Sequence, residues 1–326
     1  MIPASGHAGH SHSIPTPPSD APERIKRLVR SATYAAVGVA GVLIAVKLGA
    51  WLVTDSVSLL SSLVDSVMDV FASLINLVAV RHAMQPADAE HRFGHGKMES
   101  VAGLGQAAFI MGSGIFLIVE AVGHLVRPVE LEMGVVGIGV MVFSMIATAL
   151  LVIFQRIVVR ATGSVAIKAD ALHYASDFLV NAGIIIALLL VVGLGWGLAD
   201  PIAGILVAVI IIYSAVQIVR QSIDRLMDRE LPDDERARIA KIATAHPRVA
   251  GFHDLRTRSA GLDTFIQIHI EMDGAITLDD AHEICDAVEA DIMAAYPSAE
   301  VMIHADPEGI EESHPHFGHD HQLPSG

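Results

Sequence analysis

Residues 133–155 read MGVVGIGVMVFSMIATALLVIFQ and contain no charged side chain. A helix of roughly 20 mostly apolar residues is long enough to cross a bilayer, so this stretch predicts a membrane span. Further stretches are as poor or nearly as poor in charge: 31–54, 56–80, 101–126, the segment from about residue 168 to 199, and 201–219. The sequence therefore predicts six transmembrane helices, which are too many for a signal peptide.

The composition of the 326 residues agrees with this interpretation: 52% are hydrophobic and only 17% are charged. A soluble domain has about 25% charged residues, so an ordinary cytosolic enzyme is excluded. The net charge of −15 argues against a general nucleic-acid binder, which has a basic surface. A single cysteine, Cys285, excludes an intrachain disulfide, and 17 histidines mean that any metal chemistry depends on imidazole and carboxylate.

Basic residues outside the spans alternate between the two sides of the membrane. They lie before span 1, between spans 2 and 3, between spans 4 and 5, and after span 6, whereas the opposite loops contain only Arg127. The positive-inside rule therefore predicts cytoplasmic termini. Lys47 is inside span 1, where we expect a lysine that extends its ammonium group towards the outer end.

The chain after span 6 differs in character. From Arg229 onwards it has 20 acidic and 7 basic residues, a net charge of −13. Turn residues and an alternating strand at 263–272 predict the order α-β-β-α-β, a ferredoxin-like α+β cytoplasmic domain whose second helix is capped by Thr277. We expect a disordered His/Pro-rich tail, a six-helix membrane domain, a cytoplasmic metal-binding domain and a disordered His-rich tail: 1–22, 23–226, 227–308 and 309–326.

Two acids lie well inside span 2. Asp65 and Asp69 are four residues apart and therefore share one helix face, where burial in hydrocarbon and mutual repulsion are both costly. Span 5 contains His173 and Asp177 at the same spacing. Together they offer one nitrogen and three oxygens, a tetrahedral set that suits Zn²⁺ best among common ions. Asp170 is interpreted as a cap for the start of span 5.

Other candidates are individually weaker. In the loop after span 2, Asp88, His91 and His95 have spacings of three and four, which allow a shared ion but do not require one. In the cytoplasmic domain, each histidine alone is more typical of an ordinary surface residue, but the set points to metal binding: His253, His269, His282, His304 and Asp306. His82 and His124 are interpreted as interfacial histidines, and His246 as a loop residue.

Several motifs in this order resemble the cation diffusion facilitator family, in particular its bacterial ferrous-iron and zinc efflux pumps. The resemblance covers about residues 20–308. It is carried by LVDSVMD (63–69), QPAD (85–88) with FGHGK (93–97), LHYASD (172–177), HDLRTR (253–258), QIHIEM (267–272) and VMIHAD (301–306).

The resemblance implies a homodimer with six spans per chain in the plasma membrane, or in the inner membrane if the cell is Gram-negative. It implies that Asp65, Asp69, His173 and Asp177 form the transport site, and that the loop residues form a second site. It implies a binuclear cytoplasmic site in the domain beyond residue 227. Lys97 and Asp228 resemble the positions of a charge interlock near the membrane surface.

The expected function is divalent metal efflux in exchange for protons, by alternating access of the transport site. Zn²⁺, Fe²⁺, Cd²⁺ or Co²⁺ would be substrate and regulatory ligand, without an organic cofactor or a nucleic-acid partner. A membrane metalloenzyme is disfavoured because the four ligands leave no open position and no HExxH motif is present. A prenyl-diphosphate enzyme lacks bases near its aspartates. A membrane metal sensor that does not transport is the remaining alternative.

Overall fold

The computed structural model describes residues 21–126, 135–194 and 198–309. The two expected His-rich tails and Arg127 lie outside these residues, except that the first helix already begins at Ala21. The chain divides into a helical unit and a second unit that begins at Glu230.

Six long helices make up the first unit. They are α1 (Ala21–Thr54), α2 (Val57–Ala83), α3 (Met98–Val126), α4 (Val135–Thr162), α5 (Val165–Leu194) and α6 (Ala199–Leu226). Within the described ranges, α1, α2, α3, α4 and α6 are long and apolar enough to cross a membrane. α5 has 30 residues and has the polar residues of the expected metal site in its first half. The structure therefore confirms a helical membrane domain.

Small residues allow α3 and α6 to approach closely. A Cβ atom added at Gly114 would lie 2.7 Å from a side-chain carbon of Ile212, and one at Gly103 would lie 2.7 Å from the hydroxyl of Ser222. Glycine at these two positions therefore sets the distance between the helices, as small residues commonly do in membrane bundles.

The second unit has the predicted order: α7 (Asp233–Ala243), β1 (Gly251–Ala260), β2 (Asp263–Met272), α8 (Leu278–Ala295) and β3 (Ala299–Pro307). Its three strands form one sheet in the order β1-β2-β3, and β2 pairs with β3 in parallel. Thr277 caps α8 as predicted, because its hydroxyl accepts the Asp280 N–H while the Asp280 carboxylate accepts from Thr277 in return.

The alternation in β2 separates a buried face from a polar face. Ile266, Ile268 and Ile270 are at most 1% exposed and belong to a core that also contains Ile284, Val288 and Ile292 of α8. The intervening residues of β2 therefore lie on the opposite face of the sheet. This core holds the strands from which the cytoplasmic candidate residues project.

Two expectations about membrane residues are wrong. Lys47 does not extend towards the outer end of its span: its Nζ donates to the Ser62 carbonyl at 3.0 Å and to Ser66 Oγ at 2.7 Å, both in α2. Asp170 does not cap α5, because α5 begins at Val165 and Asp170 lies inside it, fully buried.

The residues around Asp170 explain that difference. Ser164 accepts the Ile167 N–H at 3.2 Å and so serves the first turn of α5. The Asp170 carboxylate instead accepts a hydrogen bond of 2.6 Å from the Gln155 amide of α4. Asp170 therefore links α4 and α5, a role that depends on how these two helices pack together.

Candidate metal centres

The intramembrane centre lies between α2 and α5. His173 Nε2 is 3.2 Å from Asp69 Oδ1 and 3.9 Å from Asp177 Oδ2. One ligand atom from each of the three residues lies within 4.8 Å of the others. The His173 side chain is 7% exposed and that of Asp69 is 21% exposed. An imidazole and two carboxylates thus converge on a volume that fits one ion.

Asp65 is the fourth residue expected at this centre, and the structure does not bring it into the same set. It is exposed, one helical turn before Asp69 on α2. The spacing places both on one face, but Asp65 lies one turn further from the α5 pair. Three of the four expected ligands therefore converge.

Two hydroxyl groups beside this centre join its helices, and sequence reasoning missed both. Ser73 Oγ and the Tyr174 hydroxyl are 2.7 Å apart, and both residues are buried. Ser73 is four residues after Asp69 and Tyr174 follows His173 directly. The i,i+4 spacing places Ser73 on the same face of α2 as Asp69, and this was the sequence signal that could have identified it.

The loop centre is organised by its own backbone. Asp88 Oδ1 accepts the N–H groups of Glu90 at 2.9 Å and His91 at 2.6 Å, which is an Asx turn. Gly94 turns the chain back with φ of 74°, a conformation that glycine adopts at little cost. His91 Nδ1 and His95 Nε2 then lie 3.3 and 3.4 Å from the two Asp88 carboxylate oxygens.

The hydrogen bonds of the Asx turn also favour the ionised form of the Asp88 carboxyl group. The backbone hydrogen bond from His91 lowers the pKa of Asp88. The backbone hydrogen bond from Glu90 and the charges of the nearby imidazoles lower it further. An ionised carboxylate is the form that binds a metal ion. The three candidate ligand atoms lie within 4.8 Å of one another.

A third centre, in the second unit, is built on the sheet. In the parallel register, His269 of β2 is opposite His304 of β3, and Glu271 is opposite Asp306. The Asp306 side chain is 5% exposed; its carboxylate is 2.8 Å from His269 Nδ1 and 3.1 Å from His304 Nε2. Because side chains two residues apart share a strand face, the register places these groups together.

β1 contributes the third imidazole of this centre. His253 Nε2 is 3.5 Å from Asp306 Oδ2, and its Nδ1 is 3.0 Å from Glu271 Oε1. Candidate ligand atoms of His253, His269 and Asp306 lie within 4.8 Å of one another. Glu271 was not predicted, although it is on the same face of β2 as His269. His282, in α8, is 3.6 Å from Asp286 and is not part of the converging set.

The two residues of the expected interlock meet within one chain. Lys97 Nζ is 2.9 Å from Asp228 Oδ2 and 3.3 Å from the carbonyl oxygen of Leu226. Leu226 is the last residue of α6, so the ammonium group also caps the negative end of that helix.

Comparison with known proteins covers both units. Residues 33–227 match the model of the cation efflux transmembrane domain, and residues 231–308 match that of the cation efflux protein, cytoplasmic domain. The chain is 47% identical over 287 residues to the cation-efflux pump FieF of Klebsiella pneumoniae subsp. pneumoniae, covering 87% of this chain and 94% of that protein. It is 47% identical over 284 residues to cation-efflux pump FieF of Salmonella choleraesuis, covering 86% and 93%.

Among solved structures, the Zn form of CzrB is 33% identical, with a TM-score of 0.25, and covers 26% of this chain and 99% of that chain. The nickel form of a MamM CTD variant is 33% identical, with a TM-score of 0.21, and covers 24% and 96%.

Proposed function

Because the chain belongs to the cation efflux family, the cation diffusion facilitators, we propose that it exports divalent metal cations from the cytoplasm and that Asp69, His173 and Asp177 bind the ion in transit. The observation that carries this assignment is the convergence of one imidazole and two carboxylates between two membrane helices. Acids within a membrane domain are costly and characteristically mark an ion pathway.

Asp65 completes the transport site in this proposal. It lies one turn from Asp69 on α2, so a modest change in the relative position of α2 and α5 would add a third carboxylate. One nitrogen and three oxygens then surround the ion. Zn²⁺ prefers such a tetrahedral set, while Fe²⁺, Cd²⁺ and Co²⁺ are alternative cargoes.

Protons are the proposed counter-ion. Metal binds deprotonated ligands on the cytoplasmic side, and protons from outside compete for His173 and the carboxylates and release the ion there. His173 is the main proton carrier in this scheme, since the ordinary pKa of imidazole is nearest neutrality. The site alternates between the two sides of the membrane, with both termini in the cytoplasm and the chain in the plasma membrane.

The cytoplasmic domain is the proposed sensor of metal load, acting within a homodimer. His253, His269, His304 and Asp306, with His282 from α8, form its binuclear site. From Arg229 onwards the chain has a net charge of −13, so two copies repel each other. Cations bound there reduce the repulsion, draw the copies together and favour transport.

Flux in reconstituted vesicles tests the transport proposal. Zinc uptake into proteoliposomes, driven by a pH gradient, should be lost in Asp69→Ala. Asp55→Asn is the matched control: it removes an acid just before α2, at a φ of 52° that asparagine tolerates, and flux should persist. Zinc binding without flux in the parent chain would instead identify a metal sensor.

The sensor proposal needs a separate test. His269→Ala combined with Asp306→Ala should remove the rise of flux with cytoplasmic zinc while leaving Asp69-dependent transport. Equal flux from parent and double variant at every zinc concentration would contradict metal control by this domain.

A further inference from the structure

His82 lies beside the loop centre, although the sequence suggested only an interfacial histidine. It is in the last turn of α2, six residues before Asp88. Its ring centroid is 4.7 Å from that of His95, with an angle of 68° between the ring planes. The centroid of the His95 ring is also 4.5 Å from that of His91. His95 therefore has two imidazole neighbours.

The spacing of these rings is that of ligands on a common ion. With zinc–nitrogen bonds of about 2.0–2.1 Å and tetrahedral angles, two imidazole centroids lie about 5 Å apart. Both ring pairs of His95 are close to this distance. Edge-to-face packing of aromatic rings gives similar distances, so the spacing needs a second observation.

That observation is the state of the His95 ring. Its side chain is only 6% exposed, and its Nε2 lies 3.4 Å from the Asp88 carboxylate. Its Nδ1 is buried and has no hydrogen-bond partner among the described residues. A buried ring nitrogen without a partner is costly, whereas imidazoles that bind metals usually have both nitrogens engaged. The His95 ring thus combines a buried nitrogen that lacks a partner with two neighbouring imidazoles, an environment suited to a metal ligand.

We propose that His82 is a fourth protein ligand at the loop centre, which then binds one Zn²⁺ through three imidazoles and the Asp88 carboxylate. This inference rests on the loop site of the resemblance and extends it by one residue. The ligand atoms of Asp88, His91 and His95 already lie within 4.8 Å of one another. His82 is outside this set, and in the proposed site a rotation of its ring brings one nitrogen to the ion.

A fourth protein ligand changes the role of the ion. Three protein ligands leave a position for water or exchange, whereas four close the shell, as in structural zinc sites. His82 belongs to α2 and Asp88, His91 and His95 belong to the loop, so a closed site would fasten the loop to the end of α2. The ion here is a stable part of the protein and does not travel with the cargo.

Cobalt spectroscopy tests the proposal in the full-length chain. Asp69→Asn and Asp306→Asn first weaken the other two centres, so that the remaining tight Co²⁺ reports on the loop. We expect the intense visible absorption of four-coordinate Co²⁺. His82→Ala should lower zinc affinity in chelator competition at least tenfold and give the weaker absorption of a higher coordination number. His246→Ala is the matched histidine control and should alter neither.

A second measurement tests the proposal even if the His82→Ala variant does not fold. X-ray absorption of zinc in the chain that retains His82, with the other two centres weakened as above, should show three imidazoles and one oxygen ligand, and two imidazoles would overturn the proposal. Unchanged affinity and spectrum in a folded His82→Ala chain would overturn it as well. These measurements do not depend on transport. If the chain binds zinc through His82 but does not transport it, the proposed function is refuted and the His82 site is not.

Discussion

Replacing Lys97 by methionine should loosen the C-terminal end of α6. The ammonium group lies 2.9 Å from Asp228, where the Coulomb attraction in a water-like medium is about 1.4 kcal/mol. Because the two side chains are 37% and 40% exposed, screening and side-chain entropy reduce this to about 0.5–1 kcal/mol. The bond to the Leu226 carbonyl contributes about the same. The total of about 1–2 kcal/mol corresponds to a factor of roughly 5–30 in an equilibrium constant.

Hydrogen exchange at the end of α6 measures this factor. The Asp228 and Arg229 amides donate to the carbonyls of Arg225 and Asp224, so they exchange only when this turn opens. In Lys97→Met we expect their exchange to be roughly 5–30 times faster than in the parent chain. The exchanged pair Lys97→Asp with Asp228→Lys should recover only part of the protection, since aspartate cannot donate to a carbonyl.

Lys168→Met provides the control, because Lys168 also donates to α6, to the Gln221 amide, more than a turn earlier. It should leave the exchange at Asp228 and Arg229 unchanged. The Lys97 effect should shrink at about 1 M salt, where the Debye length is about 3 Å. Exchange within twofold of the parent, or an effect larger than a hundredfold, would refute this account of the pair.

Three further substitutions probe separate features. Lys47→Met should destabilise the helical unit by about 1.5–3 kcal/mol in thermal unfolding, because a charged donor to α2 is lost. Lys47→Arg should destabilise it less. A methionine variant as stable as the parent chain would contradict the role of these hydrogen bonds. Ile268→Ala should destabilise the sheet by about 2–5 kcal/mol in denaturant unfolding, and a loss below 1 kcal/mol would contradict its place in the core. Thr277→Ala should speed amide exchange in the first turn of α8. The Thr277 hydroxyl lowers the pKa of Asp280, so its contribution is present above the ordinary carboxyl pKa and lost as pH falls through the lowered value. An effect that stays constant throughout an acid titration in which Asp280 becomes protonated would contradict the assigned capping pair.

The membrane helices and the order of the second unit followed from local patterns. The spans were predicted from the length of segments that lack charged residues, and this requires no knowledge of the neighbouring helices. The alternation of Ile266, Ile268 and Ile270 distinguished the two faces of β2 for the same reason. The cap at Thr277 depends on residues three apart, so sequence alone was enough.

Contacts between distant segments were not predictable in this way. Lys47 was expected to extend to the outer end because its acceptors in α2 are brought close only by helix packing. Asp170 was interpreted as a cap because its partner, Gln155, belongs to another helix. Similarly, the pairing of His253 with Glu271 depends on the alignment of two strands. In each case the partner of the polar group belongs to another helix or strand, so the spacing of residues within one element cannot identify it.

The bond between Ser73 and Tyr174 has a consequence for how the membrane domain can move. It joins α2 and α5 next to Asp69 and His173, and both hydroxyl groups are shielded from solvent. Separating the two helices there would remove the partner of the buried Ser73 hydroxyl, while the Tyr174 hydroxyl would keep only its longer bond of 3.4 Å to the Ala36 carbonyl. Motions that keep the bond hold α2 and α5 together at this point, so a shift that brings Asp65 towards His173 and Asp177 would pivot about the contact between Ser73 and Tyr174.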